Sequence, residues 1–176
     1  AQSVCDACAE GDVLVCANYN APGQVVVSGN VAAIDRAEAY WKEQSKRCSR
    51  LRTAGAFHSP LMEDAATRVG EFCKTLSFKQ PTFPLICNTD AQPFVVDEAT
   101  DRLSSQVKSS VMFEQSIQAL STKGESQFIE VGFGGVLTNL VKRIDRKADR
   151  IKIGTYAEWE KEVPQLVSSV EESNKE

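Results

Sequence analysis

One histidine stands in the 176 residues, so the only imidazole that can carry protons near neutral pH is that of His58. It lies in Gly55-Ala56-Phe57-His58-Ser59-Pro60-Leu61-Met62, where a serine followed by a proline marks a helix start. A general base needs a partner that fixes its tautomer and a nucleophile within hydrogen-bond reach. Ser59 is adjacent, but its expected work is the helix cap, and neighbouring residues rarely aim both side chains at one point. No G-x-S-x-G nucleophile elbow occurs in the sequence. If His58 is a base, its nucleophile is not in this chain; the competing reading is a structural histidine.

Two other constellations invite chemistry. Gly132, Gly134 and Gly135 follow an apolar strand-like run and precede a helix-like one, but Leu137 occupies the third glycine position of a dinucleotide loop, and no Gly-Lys-Ser/Thr follows. A tight strand-to-helix turn is the plainer reading. The six cysteines at 5, 8, 16, 48, 73 and 87 include one C-x-x-C, Cys5 and Cys8. A second pair or a nearby histidine pair is absent, so a zinc or redox centre is weakly supported, and no metal is expected.

The elements that must hold these residues read as a mixed α/β chain. Ala1–Glu10 reads as the later part of a helix. Val13–Ala17 and Gln24–Ser28 are strands around a Pro22-Gly23 turn, and Asn30 is placed to cap a helix over 31–45 with an apolar face of Ile34, Ala37 and Trp41. Lys46–Thr53 is expected as a basic strand leading to His58. Leu61, Ala65, Val69, Phe72 and Leu76 give a helical stripe, Leu85–Asn88 a short buried strand, and 99–105 and 111–121 two helices. Strand 127–131, helix 136–145, strand 151–155 and a helix from Glu158, interrupted by Pro164, complete the order. Strand-to-helix junctions at 57–60 and 131–136 are where α/β folds place chemistry.

Composition narrows the function. Apolar residues make up 42% and charged residues 25%, the mix of a soluble globular protein. A net charge of −4 argues against a nucleic-acid binder, and no apolar run approaches the roughly 18 residues of a membrane span. Basic residues nevertheless cluster: Lys46, Arg47, Arg50 and Arg52 carry four positive charges, and residues 142–152 hold six bases against two acids. Either strip can steer an acidic partner or serve as a solvated face.

Three segments, in order, resemble one family. Asn18-Tyr19-Asn20-Ala21-Pro22-Gly23-Gln24-Val25-Val26-Val27-Ser28-Gly29 is similar to the N-x-N-S-P-G-Q-V-V-I-S-G segment of malonyl-CoA:acyl-carrier-protein transacylases. Residues 55–62 resemble that family's G-A-F-H-S-x-L-M segment, and Phe128–Thr138 its F-x-E-x-G-P-G-x-V-L-T segment, with Phe133 in place of the usual proline. That substitution is expected to alter a turn and not the chemistry.

The resemblance implies an α/β fold: an incomplete ferredoxin-like small subdomain over 1–53, the C-terminal part of an α/β-hydrolase-like acyltransferase large subdomain over 54–157, and an acidic helix or tail over 158–176. The chain then reads as the back half of a transacylase, the half with the nucleophile serine being absent. His58 matches the family's general base and Gln106 the residue whose backbone carbonyl orients it. Asn18, Asn20 and Gln24 match residues lining the thioester channel, and Phe57 a position associated with malonyl selection. Malonyl-CoA and an acyl carrier protein are the implied partners, with no cofactor, no nucleic acid and no membrane; a cytoplasmic monomer, or one of an organellar matrix, is expected. An acyltransferase domain of a polyketide or multienzyme synthase and a carrier-docking module are the alternatives.

Overall fold

The computed structural model describes residues 1–173, with side chains described for residues 1–168. It divides into two compact units, Ala1–Ser116 and Ile117–Glu176, each of which is described by itself.

The first unit opens with helix α1 (Gln2–Cys8), strands β1 (Leu14–Ala21) and β2 (Gln24–Gly29) and helix α2 (Val31–Glu43). The strands pair antiparallel around Pro22 and Gly23; the proline sets one φ, and Gly23, at φ +72°, supplies the left-handed residue of the turn. Two register shifts leave Ala17 and Asn20 as extra residues in β1, so the strand bends twice along the segment expected to face substrate. The two helices pack on this hairpin through Val4, Cys5, Cys8, Leu14, Cys16, Ala33 and Ala37, with Ile34 and Trp41 against them. Gly29 is obligatory at the end of β2, because a Cβ there would sit 2.0 Å from the Val13 carbonyl oxygen.

Asn30 occupies the N-cap position of α2, but its side chain does not cap the helix. Its Oδ1 accepts instead from the Val13 N–H at 2.8 Å, which ties the start of α2 to the approach to β1. Arg36 secures the same corner from α2. It donates to the Cys8 and Ala9 carbonyls at 2.8 and 2.6 Å and to Asp12 at 2.8 Å, so a guanidinium closes the C-terminal end of α1.

Residues 46–53 form no strand. Cys48 and Leu51 are their only apolar residues, three apart, and a half-buried strand needs alternation every second residue. His58 is accordingly reached by irregular chain. A 3-10 turn (Pro60–Met62) then leads into α3 (Glu63–Cys73), which stops before Leu76. The face of α3 that is buried is Ala66, Gly70 and Cys73, while Leu61, Phe72 and Leu76 of the expected stripe are exposed. Small residues win that face because α4 (Ala99–Lys108), entered by a 3-10 turn at Val96–Glu98, approaches closely: a Cβ on Gly70 would meet Ser104 Oγ at 3.2 Å. Ser104 Oγ also donates to the Ala66 carbonyl at 2.8 Å, and Lys108 pairs with Glu63 at 2.7 Å. Leu85–Asn88 makes only an isolated bridge, Ile86 to Pro93, with Cys87 its one buried residue. Helix α5 (Phe113–Thr122) carries the boundary between the units.

In the second unit β3 (Gln127–Val131) and β4 (Asp149–Ile153) pair in parallel, with α6 (Val136–Ile144) as the crossover and α7 (Tyr156–Ser173) after β4. The turn between β3 and α6 places Gly132, Gly134 and Gly135 at φ +131°, +116° and +93°, conformations that side chains rarely adopt. Two carboxylates hold this turn. Glu130 accepts from the Leu137 and Thr138 N–H groups at 3.2 and 2.7 Å and from the Thr138 hydroxyl, and so caps α6 from within the strand. Glu158 accepts from the Gly154 and Thr155 N–H groups at 2.8 and 3.0 Å, fixing the chain that packs against Gly132. Helix α7 runs through Pro164, which withholds one N–H from the exposed Glu160 carbonyl region instead of ending the helix. The acidic segment from 158 is thus helical to Ser173, and its last three residues lie outside the described ones. Among the described residues no helix is long and apolar enough to cross a membrane.

The bonds from the Gly154 N–H, then the Lys152 ammonium, lower the Glu158 carboxyl from its ordinary 4.5 to about 2. A depressed carboxyl stabilises the fold fully above the unfolded value and loses that stabilisation as pH falls toward the folded one. Thermal melts of the chain are therefore expected to fall between pH about 4.5 and 2, and Glu158→Gln is expected to lower the melt at pH 7 and flatten that acid limb.

Candidate active site

The site is built around the end of a helix. The last four carbonyls of an α-helix have no intrahelical donor. In α4, Gln106 lies in that last turn, and its carbonyl oxygen is 3.0 Å from His58 Nδ1. Ser109, one residue past the helix, places its carbonyl 3.1 Å from the same nitrogen. Two carbonyl oxygens can only accept, so Nδ1 carries the hydrogen and Nε2 keeps its lone pair. None of the described residues donates to or accepts from Nε2. The chemistry this permits is withdrawal of a proton by Nε2, with the positive charge that builds on the ring facing the negative end of α4.

The backbone of His58 is bound to the same segment, its N–H donating to the Val107 carbonyl at 3.2 Å. The residue sits at φ +57°, a left-handed conformation that costs on the order of 1–3 kcal/mol for a non-glycine. The geometry must therefore be held from several sides. Ser59 supplies one of them. Its Oγ donates to the Ala56 carbonyl at 2.6 Å and accepts from the Leu61 N–H at 3.3 Å, and the residue is 0% exposed.

The segment that orients His58 continues directly to the hairpin. The Ser110 hydroxyl donates to the Cys16 carbonyl at 2.6 Å, the Val111 N–H to the Ala17 carbonyl at 2.8 Å, and the Tyr19 N–H to the Val111 carbonyl at 2.8 Å. Asn18 thus bridges in parallel to Val111, two residues beyond the carbonyl that meets His58. Residues 106–111 bring His58, Gln106 and Asn18 onto one backbone frame. Asn20 and Gln24 stand farther along the hairpin, Asn20 as the extra residue of a bulge, and the carbonyls bound to the ring come from Gln106 and Ser109. Phe57, beside the histidine, is 47% exposed.

Sequence reasoning missed the Ser109 carbonyl and the second bond of Ser59. A backbone acceptor leaves no trace in residue type, whereas the serine was visible only as a cap. Cys5 of the C-x-x-C neighbours Cys16, with the two Sγ atoms 3.8 Å apart, and burial, with Cys16 beside it, pushes the Cys5 thiol up to about 12. No cluster of three or more potential metal ligands occurs among the described residues. A groove of about 450 Å³ lies on the basic segment, lined by Lys42, Lys46, Arg47, Cys48 and Ser49, and does not include His58.

Residues 1–175 match the acyl transferase domain family, and the chain belongs to it. It is a partial α/β acyltransferase fold of the malonyl-CoA:acyl-carrier-protein transacylase type. The malonyl CoA-acyl carrier protein transacylase of Bacillus subtilis is 38% identical over 148 residues, 82% of this chain and 46% of that protein. The crystal structure of the malonyl-CoA:acyl carrier protein transacylase of Xanthomonas oryzae matches with a TM-score of 0.85 at 36% identity, over 89% of this chain and 51% of that one. A type II PKS acyl-carrier protein in complex with its malonyl-transacylase also matches, with a TM-score of 0.84 at 28% identity, over 89% of this chain and 51% of that one. The chain spans about half the length of the curated relatives it matches.

The Gln106 side chain offers a direct check on the carbonyl frame. Its Nε2 is buried without a hydrogen-bond partner among the described residues. Gln106→Leu keeps the carbonyl and removes an unsatisfied donor, so it is expected to leave the His58 tautomer unchanged and stability equal or higher, read by imidazole ¹⁵N NMR and urea unfolding.

Proposed function

We propose that this chain supplies the general base and part of the thioester channel of a malonyl-CoA:acyl-carrier-protein transacylase whose nucleophilic serine lies outside these residues. The observation that carries the reading is the His58 ring, bound through Nδ1 to two backbone carbonyls with Nε2 open, in a chain of this family. Nε2 takes the serine proton as the oxygen attacks the malonyl thioester, and the same proton goes to the departing CoA thiolate. His58 then takes the proton of the carrier's phosphopantetheine thiol, the thiolate attacks the malonyl-serine ester, and Nε2 returns the proton to the serine oxygen as the C–O bond breaks. Malonyl-CoA and the carrier are the two substrates of a cytoplasmic enzyme, and the chain by itself is inactive in transfer. Asn18, Asn20 and Gln24 line the channel, and residues 1–53, 54–157 and 158–176 are the partial small subdomain, the partial large subdomain and the acidic C-terminal segment.

The basic groove supports a steering role toward an acidic carrier, since Lys46, Arg47 and Arg52 have no acidic partner within 4 Å among the described residues, whereas Arg50 is paired with Asp35 and Glu38. The type II PKS relative supports the polyketide alternative, for which the reaction and the residues are the same.

His58→Ala in the full-length protein containing these residues is expected to lower malonyl transfer by about 10²–10⁴-fold. Transfer at the wild-type rate overturns the base assignment. Intact mass of this chain after malonyl-CoA should show no adduct; an adduct that the holo carrier removes overturns the placement of the nucleophile outside it. Phe57→Ser should narrow discrimination against methylmalonyl-CoA, since the proposed role of the ring is to exclude a 2-methyl branch, and competition kinetics with the two thioesters read the ratio.

A further inference from the structure

His58 has to be held in an unfavourable backbone conformation for its Nδ1 to meet two carbonyls at once, and the histidine itself cannot do that. The ring bonds to Gln106 and Ser109 and the backbone bond to Val107 all come from one segment, 106–109. They restrain the residue on one side only, and a peptide that rotated about His58 would break them together. The opposite side is closed by a single atom. Ser59 Oγ spans the loop, donating to the Ala56 carbonyl two residues before His58 and accepting from the Leu61 N–H three residues after it. Both ends of the bridge are backbone groups, so it fixes the separation of residues 56 and 61 and with it the φ of +57° between them.

A cap alone does not require this. An N-cap side chain needs to accept from the first turn, and it is served as well by an exposed serine or aspartate. Ser59 also donates, and it is 0% exposed, so water cannot stand in for either partner. The first turn it caps is the three-residue 3-10 turn Pro60–Met62, in which Pro60 has no N–H to satisfy. The Met62 N–H is taken by the Ser59 carbonyl at 3.0 Å. The hydroxyl therefore serves one orphan donor of the helix and one carbonyl on the far side of the histidine.

We propose that Ser59 is a positioning residue for the transfer reaction: its buried hydroxyl bridges Ala56 and Leu61 to lock His58 in the left-handed conformation that commits the ring to its Nδ1–H tautomer. The inference rests on the reading of His58 as the base. Without the bridge, His58 relaxes to negative φ and the ring leaves the two carbonyls. The imidazole then returns to the Nε2–H form favoured in solution, which has no lone pair to offer at Nε2.

The single histidine makes the test direct, because one imidazole gives one set of signals. Long-range ¹H–¹⁵N spectra of the chain at a pH where the ring is neutral should show the Nδ1–H tautomer. Ser59→Ala should move the spectrum toward the Nε2–H tautomer. Ser59→Thr keeps the hydroxyl and should retain the wild-type pattern, while Ser59→Val, of nearly the same outline, should follow the alanine variant. In the full-length protein Ser59→Ala should lower kcat by about tenfold to a hundredfold with KM for malonyl-CoA unchanged, and Ser59→Thr should restore it. The wild-type tautomer in the folded alanine and valine variants overturns the proposal. So does failure of both to fold while the threonine variant folds, since the hydroxyl would then hold the fold and not the ring. The two readings fail separately: the spectra need no activity, and full transfer by His58→Ala removes the base assignment whatever Ser59 does.

Discussion

The bond between the imidazole and the end of α4 is the constraint on which the rest of the first unit depends. A helix that ends in a folded protein must find donors for its last carbonyls, and a histidine that is to accept a proton at one nitrogen must carry its hydrogen on the other. Placing His58 Nδ1 against Gln106 and Ser109 meets both needs with one contact. Everything that fixes α4 then fixes the ring: the small face of α3 that admits it, the Ser104 hydroxyl on the Ala66 carbonyl, and the ion pair of Lys108 with Glu63.

A carboxylate in the place of the two carbonyls would hold the ring more strongly and stabilise its charged form more. Carbonyls set the tautomer without adding a full negative charge beside the ring, and the helix end supplies only the modest field of its dipole. The arrangement is also economical in sequence terms, since neither acceptor depends on the identity of its residue. What does depend on residue identity is the loop around the histidine, where a left-handed conformation costing on the order of 1–3 kcal/mol is opposed by the bonds from residues 106–109 and by the two of the Ser59 hydroxyl, about 0.5–1.5 kcal/mol each. The serine contributes the only part of that restraint that a side-chain substitution can remove.

Much of the fold was legible in residue patterns. The Pro22-Gly23 hairpin, the helix over 31–43, the strand at 127–131 and the glycine turn all follow from turn chemistry and periodicity. The failures have a common cause, which is that a pattern names a partner without saying which partner wins. Asn30 had the right type for a cap, yet the Val13 N–H took its side chain. The apolar stripe of α3 had the right period, yet close approach by α4 selected Ala66, Gly70 and Cys73 for burial. The basic run 46–53 leads toward the histidine as a strand would, yet its two apolar residues are three apart and it forms none. At the site, His58 could be singled out from its uniqueness and its helix-start neighbours, and Gln106 from resemblance. Ser109 contributes a carbonyl that every residue type possesses, and no reading of side chains could find it.

The distribution of the cysteines has a practical corollary. Five of the six thiols are buried, and Cys48 is exposed in the wall of the basic groove. The Cys5 thiol, pressed against Cys16 and pushed up to about 12, stays protonated at the pH of an ordinary maleimide coupling. A fluorophore or spin label supplied to the native chain is thereby directed to one position without any engineered cysteine. It would sit beside Lys46 and Arg47, the basic side chains that line the same groove.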